Sequence, residues 1–299
     1  MTRIEVSRPN KILFPEPGVT KGELAEYYDR VAPHMLPFLK DRPLNLWLFP
    51  DGIEKQGFLR QSIPNHFPDW IPRVAVKKKG GSVTHPMADS ADALVYFAGQ
   101  ACITPHSWLS RVDKLDRPDR LVFDFDPSED DFPGVRAGAR AMGALLDELG
   151  LAHYAMLTGS RGVHVVVPLR RNHDFEEARA FSREVAGVLA EREPRRLTVE
   201  ARKAKREGRI LIDFMRNAYA QTAVPPYAVR PKPGAPVATP LDWSELSDSR
   251  LRAQRFNVRN LFRRLDREGD PWASFAKDAR SLGPARKRLG ALRDADGRE

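Results

Sequence analysis

Asp124 and Asp126 stand two residues apart in an otherwise apolar run, Arg120-Leu121-Val122-Phe123-Asp124-Phe125-Asp126-Pro127. Strand side chains alternate, so Leu121, Phe123 and Phe125 point one way and Val122, Asp124 and Asp126 the other. Two like charges on one face repel, and one would take up a proton unless a cation lies between them. A divalent metal would relieve that repulsion. The alternative is a strand running out into a polar turn, with Pro127 ending it and Asp126 starting an Asx turn. A third acidic residue follows in Ile210-Leu211-Ile212-Asp213-Phe214, where Ile210, Ile212 and Phe214 share one face and Asp213 takes the other. One such aspartate is commonly structural, whereas three in this pattern are what a two-metal site needs.

Between the two acidic strands lies Thr158-Gly159-Ser160-Arg161-Gly162-Val163-His164, flanked by Tyr154-Ala155-Met156-Leu157 and Val165-Val166-Val167. This reads as strand, glycine turn, strand. Two glycines let backbone approach a ligand, and Ser160, Arg161 and the turn amides are donors suited to a triphosphate. A hairpin with an incidental histidine at position 164 is the other reading.

The elements that must carry these residues are legible from periodicity. Val135, Ala139, Met142, Leu146 and Leu149 have helical spacing, and Gly150 is a fitting stop. Asp174 and Glu177 open a second helix with Phe175, Ala178, Phe181, Val185 and Leu189 as its buried stripe. Nearer the start, Ile12-Leu13-Phe14 is a short strand, and Thr20 and Glu23 have the spacing of a capping box. Lys21 therefore enters the first turn of a helix whose Leu24, Tyr27, Tyr28 and Val31 form an apolar face. With free backbone amides it makes a candidate phosphate site. Leu44-Asn45-Leu46-Trp47-Leu48-Phe49 and Arg73-Val74-Ala75-Val76 are strand candidates, and Lys77-Lys78-Lys79-Gly80-Gly81-Ser82 is a basic hairpin tip. Phe58 and Trp70 are expected in the core. Ala91 to Gln100 reads as an apolar helix leading to His106. The stretch from Asn217 to Pro240 is rich in Pro, Ala and Gly and reads as an extended edge segment carrying Arg230. Past Trp243 the chain turns basic and helical, with its last twenty residues expected to be partly disordered.

The totals agree with a nucleic-acid partner. Of 299 residues, 41% are hydrophobic and 30% charged, with a formal charge of +9. A sequence pI of about 9.8 suits a polyanion, though a solvated basic surface would give the same number. No apolar run approaches the roughly 20 residues that span a bilayer, and the start lacks a signal-peptide core. The expected location is the cytoplasm, at the nucleoid, with no membrane partner. Cys102 is the single cysteine, which excludes an intramolecular disulfide and any multi-cysteine zinc site.

Asp124-Phe125-Asp126-Pro127, the Thr158 to His164 turn and the Asp213 strand, in that order, resemble the three motifs of the archaeo-eukaryotic primase superfamily, and within it the polymerase domain of bacterial ligase D. The likeness runs from about Val6 to Trp243 and includes Phe14-Pro15, Asp69-Trp70-Ile71 and Arg216-Asn217-Ala218-Tyr219. Thr158 and Val163 stand where Ser and Leu are usual, Leu59 where a second Phe is common, and Arg8 where a small polar residue is usual. The resemblance implies an α/β (α+β) primase-polymerase core of two mainly antiparallel sheets flanked by helices. It implies a catalytic domain over 1–245 followed by a basic, partly helical tail over 246–299, either stand-alone or an excised domain. It further implies a template-dependent nucleotidyltransferase that fills short gaps or extends ends in DNA repair by non-homologous end joining, favouring ribonucleotides. By that likeness Asp124, Asp126 and Asp213 bind two Mn²⁺ or Mg²⁺ ions, and Ser160, Arg161, His164, His106 and Arg230 hold the nucleoside triphosphate. Lys11 and Lys21 bind the DNA 5′-phosphate, Phe58 stacks near the templating base, and Ku and a DNA ligase are possible partners. Two other classes compete. A non-catalytic DNA-end-binding module would share the basic surface, and a haloacid-dehalogenase phosphatase also uses Asp-x-Asp after a strand. That phosphatase motif is usually N-terminal with Thr or Val two places after the second Asp, where this chain has Ser128.

Overall fold

Alternation sets the strands and capping sets the helix starts in the computed structural model, which describes residues 4–296. The chain divides into two units. The first comprises Met1–Asp113, Thr222–Thr239 and Phe256–Gly269, and the second Lys114–Gln221, Pro240–Arg255 and Asp270–Glu299.

In the first unit a four-stranded sheet runs in the order Thr222–Ala223, Cys102–Trp108, Leu44–Leu48, Phe58–Arg60, with every pairing antiparallel. The helix Lys21–Leu39 starts at a complete capping box, in which the Thr20 hydroxyl accepts from the Glu23 amide and the Glu23 carboxylate accepts from the Thr20 amide. Its Leu24, Tyr28, Val31 and Met35 are buried, and it packs on the helix Ala91–Gly99. The hydroxyl of Tyr28 donates to the Ile103 carbonyl at 2.5 Å and accepts from the Val229 amide at 3.1 Å. That one phenol ties the Pro-rich segment to the central strand. Burial pushes its pKa well above the ordinary tyrosine value, so it stays a donor. The basic hairpin forms as expected, from Arg73–Lys78 and Gly81–Pro86. Phe58 and Trp70 do not enter the core: they are 45% and 46% exposed.

The second unit is built on a six-stranded sheet in the order Leu197–Thr198, Ile210–Asp213, Arg120–Asp126, Val163–Pro168, Tyr154–Leu157, Thr239–Leu241. Arg120–Asp126 is antiparallel to both of its neighbours. The helix Phe132–Glu148 covers the face bearing Phe125, whose ring carbons lie 3.1 Å from where a Cβ on Gly138 would stand. The helix Phe175–Arg192 packs against the same strands. Past residue 269 the chain returns to this unit. Trp272 is buried and donates from Nε1 to the Ala155 carbonyl at 3.1 Å, and Arg280 bridges to Leu169. The partial disorder expected of the last twenty residues gives way to a helix over Leu282–Asp296, and residues 297–299 lie outside the described residues. Leu282, Ala285 and Leu289 are buried there, an i, i+3, i+7 stripe hidden in a basic composition. The helix expected through the arginines from 250 to 264 is confined to Leu261–Glu268. Among the described residues no helix is long and apolar enough to cross a membrane.

Candidate active site

Strand register brings the acidic residues together. Asp124 is the cross-strand partner of Asp213 on one side and of His164 on the other. Paired residues of an antiparallel ladder share a face with Cβ atoms about 4.5–5.5 Å apart. Asp213, Asp124 and His164 therefore form a row across three strands, and Asp126 sits two residues along the middle one. Phe125, between the two aspartates, is fully buried on the opposite face, while Asp124, Asp126 and Asp213 are each half-buried. The face alternation expected of both strands is the one observed.

Each carboxylate has its own restraint. His164 Nε2 lies 3.5 Å from Asp124 Oδ2, and the histidine is only 4% exposed. Asp213 Oδ1 accepts from the Met215 amide at 2.7 Å. Asp126 meets two guanidinium groups, Arg161 Nη2 at 3.1 Å and Arg206 Nη1 at 3.3 Å. Arg206 is buried and pinned by the carbonyls of Glu200 and Ala201, at 3.1 and 2.9 Å. Nothing in the basic run 202–209 marked this one arginine, because its partner is a residue distant in sequence. Asn217 belongs to a stretch that carries the family likeness, but its partner is not legible in the sequence. It is fully buried, its Oδ1 accepts from the Val122 amide at 2.8 Å, and its Nδ2 donates to the Val122 carbonyl at 2.8 Å.

The glycine turn is knitted by Thr158, whose hydroxyl donates to the Gly162 carbonyl at 3.1 Å and accepts from the amides of Ser160 and Gly162, each at 3.3 Å. Thr thus does here what a Ser hydroxyl could. Gly162 is required by packing rather than by a ligand: a Cβ there would stand 2.3 Å from the Phe125 carbonyl oxygen and 3.3 Å from Asp124 Oδ1. The turn is consequently laid against the acidic strand. Ser160 is half-buried, with its carbonyl accepting from Gln254 Nε2 at 3.2 Å, and the Arg161 side chain is 58% exposed. Ser160, Arg161 and His164 are thereby gathered beside Asp124 and Asp126 within the second unit. A groove of about 760 Å³ in this unit, lined by Phe175, Arg179, Met215 and Tyr219, contains none of the three aspartates.

The remaining expected site residues belong to the first unit. The Lys21 amide donates to the Lys11 carbonyl at 2.8 Å, so the two lysines are neighbours. Lys21 is 4% exposed and its Nζ reaches Ser7 Oγ at 3.2 Å and the Gly99 carbonyl at 3.1 Å. Burial, then the charges of Arg8 and Lys11, lower its pKa. Arg8, Lys11 and Lys21 thus bring three cations close together, with the exposed carboxylate of Asp51 at 3.0 Å from Lys11. Phe58 lies on the edge strand with the Arg60 guanidinium 5.5 Å from its ring centroid, open to stacking. His106 lies on Cys102–Trp108, and the segment carrying Arg230 is held to that strand by the Thr104 hydroxyl, which donates to the Val229 carbonyl at 2.5 Å.

Carboxylates are the hard oxygen donors that Mg²⁺ and Mn²⁺ take. Three of them, half-buried on one face of adjacent strands, match such ions in donor type. Among the described residues no three His, Cys, Asp or Glu side chains converge as a ready-made cage, and Asp126 is neutralised by arginine.

The chain is similar to known proteins along most of its length. The model of the LigD primase-polymerase domain matches residues 20–272. The multifunctional non-homologous end joining protein LigD of Mycolicibacterium smegmatis is 32% identical over 284 residues, covering 93% of this chain and 36% of that protein. Its counterpart in Pseudomonas aeruginosa is 33% identical over 292 residues, covering 95% of this chain and 34% of that protein. The chain thus spans about a third of the length of these curated relatives. Among solved structures, the polymerase domain from Mycobacterium tuberculosis ligase D in complex with DNA aligns with a TM-score of 0.87 at 29% identity, covering 93% of this chain and 100% of that one.

Proposed function

Because the chain belongs to the LigD primase-polymerase family, a family of nucleotidyltransferases, we propose that it is a template-dependent polymerase of DNA ends and short gaps, acting in non-homologous end joining. The observation that carries this reading is the pairing of Asp124 with Asp213, with Asp126 on the same face. Like charges directly opposite one another on a ladder repel, which a shared divalent cation would relieve. Asp124 and Asp126 would hold two Mn²⁺ or Mg²⁺ ions, with Asp213 completing the set toward the primer 3′-hydroxyl. Bound there, the ions would supply Lewis acidity to that hydroxyl and neutralise the leaving pyrophosphate.

The chain's own residues supply the rest. Arg161 is exposed enough to pass from Asp126 to an incoming triphosphate, to which Ser160 adds a hydroxyl. His164 orients Asp124 from its buried place beside it. The nucleotide-holding roles of His106 and Arg230, the 5′-phosphate pocket of Lys11 and Lys21, and template stacking on Phe58 follow from the family likeness. The DNA partner is supported by the net charge of +9 and by the DNA-bound relative. Ribonucleotide preference and cooperation with Ku and a ligase belong to the same proposal. Family membership removes the phosphatase reading.

The test is extension of a primer across a short gap bearing a 5′-phosphate, with Mn²⁺ and either ribo- or deoxynucleotides. Wild type should extend and Asp124→Ala should not. A wild type that binds the gapped DNA yet never extends it would make the chain an end-binding module instead.

A further inference from the structure

The ladder between Arg120–Asp126 and Ile210–Asp213 ends at the pair Asp124 and Asp213. Beyond Asp213 the chain leaves the sheet into a 3₁₀ turn, Met215–Asn217. The next residue of the acidic strand to turn its backbone toward that side is Val122, two positions on. A strand that simply ended there would leave the amide and carbonyl of Val122 unpaired, in a residue that is 1% exposed. Asn217 takes both. Its carboxamide accepts from the Val122 amide and donates to the Val122 carbonyl, each at 2.8 Å, as an opposing strand residue would.

The same turn holds the third carboxylate. The Met215 amide donates to Asp213 Oδ1 at 2.7 Å, and the Asn217 amide closes the turn on the Phe214 carbonyl at 3.1 Å. A continuous set of bonds therefore runs from Val122, through Asn217 and the turn, to the oxygen of Asp213. Asn217 touches none of the three aspartates in this set; it fixes the segment that carries one of them against the strand that carries the other two.

We infer that Asn217 is a positioning residue for the polymerase reaction: its carboxamide serves as a surrogate strand partner of Val122, holding Asp213 in register with Asp124 so that the three carboxylates can share their metal ions. This rests on the reading of Asp213 as part of the active centre. Only a side chain with both an acceptor and a donor at the same reach can replace a peptide unit, and Asn has that pair. Ala, Ser or Leu at position 217 should leave the strands paired up to Asp213 but free the turn. The consequence is a loosened carboxylate set rather than a lost one.

The test compares Asn217→Ala and Asn217→Leu with wild type, with Asp213→Ala, and with Val185→Ala, a buried cut in the helix Phe175–Arg192 that serves as a control for lost stability. Single-turnover incorporation is titrated with Mn²⁺, and binding of 5′-phosphorylated gapped DNA is followed by fluorescence anisotropy. Residues that support metal ligands typically change metal affinity or activity by about 10- to 100-fold when removed. The half-saturating Mn²⁺ concentration should rise within that range in both Asn217 variants, while DNA affinity and the half-saturation of Val185→Ala stay near wild type. Folded Asn217 variants with wild-type half-saturation would overturn the inference, as would a fall in amplitude alone, matching Val185→Ala. An active Asp213→Ala would instead overturn the polymerase centre itself, whatever the Asn217 variants do. If Asn217→Leu fails to fold, Asn217→Ser carries the same measurement.

Discussion

Lys21 is a cation kept where a cation is uncomfortable. The residue is 4% exposed at the first turn of a helix, close to Arg8 and Lys11, and burial is the first cause of its lowered pKa. A phosphate dianion would relieve all three charges, so binding should be linked to proton uptake by Lys21. Since burial and the neighbouring cations lower the pKa in the unliganded protein, that linkage sets in over the window just above the lowered value. Affinity for a 5′-phosphorylated end should therefore decline as pH rises through this window, while affinity for the unphosphorylated end changes less. Lys21→Arg should abolish the decline, because a guanidinium keeps its proton there. Titrating both DNAs by anisotropy decides it, and parallel pH curves for the two ends would reject the pocket. The sign for folding is opposite. Unfolded Lys21 binds its proton more tightly than folded Lys21, so stability from this group rises with pH across the same window.

At the scale of elements, the glycine turn and the acidic strand are one packed unit. Gly162→Ala would drive a methyl group to 2.3 Å from the Phe125 carbonyl, so backbone must move. Forced overpacking of this kind costs about 1–3 kcal/mol. The displaced strand is the one between Asp124 and Asp126, so incorporation should fall beyond the loss of folded protein. Urea unfolding together with primer extension measures both, and a variant equal to wild type in each would contradict the packing account. Much of this element was readable in the chain. A period of two placed Asp124, Asp126 and Asp213 on the polar faces of their strands, and the Thr20 and Glu23 spacing placed the helix that carries Lys21. Register was not readable, because the pairing of Asp124 with Asp213 joins residues distant in sequence. Asn217 gave no sign of standing in for a strand, since an amide's partner depends on that register. Arg206 looked like any member of a solvated basic run. The stripe of Leu282, Ala285 and Leu289 was sparse enough among arginines and lysines to pass for a disordered end.

For the molecule as a whole, the segment past residue 269 is a working part of the second unit. Trp272 is 2% exposed, stacks on Phe275 with centroids 5.2 Å apart, and donates to the Ala155 carbonyl on the strand next to the one bearing His164. Trp272→Ala should cost about 3–5 kcal/mol, as large-to-small changes at buried aromatics do. Chemical denaturation checks this, and a change under about 0.5 kcal/mol, the range of surface substitutions, would show the segment to be loosely attached. The basic total of the chain then serves a scaffold whose acidic centre is small and local. Asp124, Asp126 and Asp213 are carboxylates that this basic chain presents on one face of two strands. The claim that they act as one centre is tested most directly by Asp213→Asn, which keeps an oxygen for the Met215 amide and removes only the charge. Single-turnover incorporation of one ribonucleotide across a short 5′-phosphorylated gap should fall by roughly a thousandfold or more, about 4 kcal/mol of transition-state stabilisation, with gapped-DNA binding unchanged. Incorporation at the wild-type rate would contradict the account.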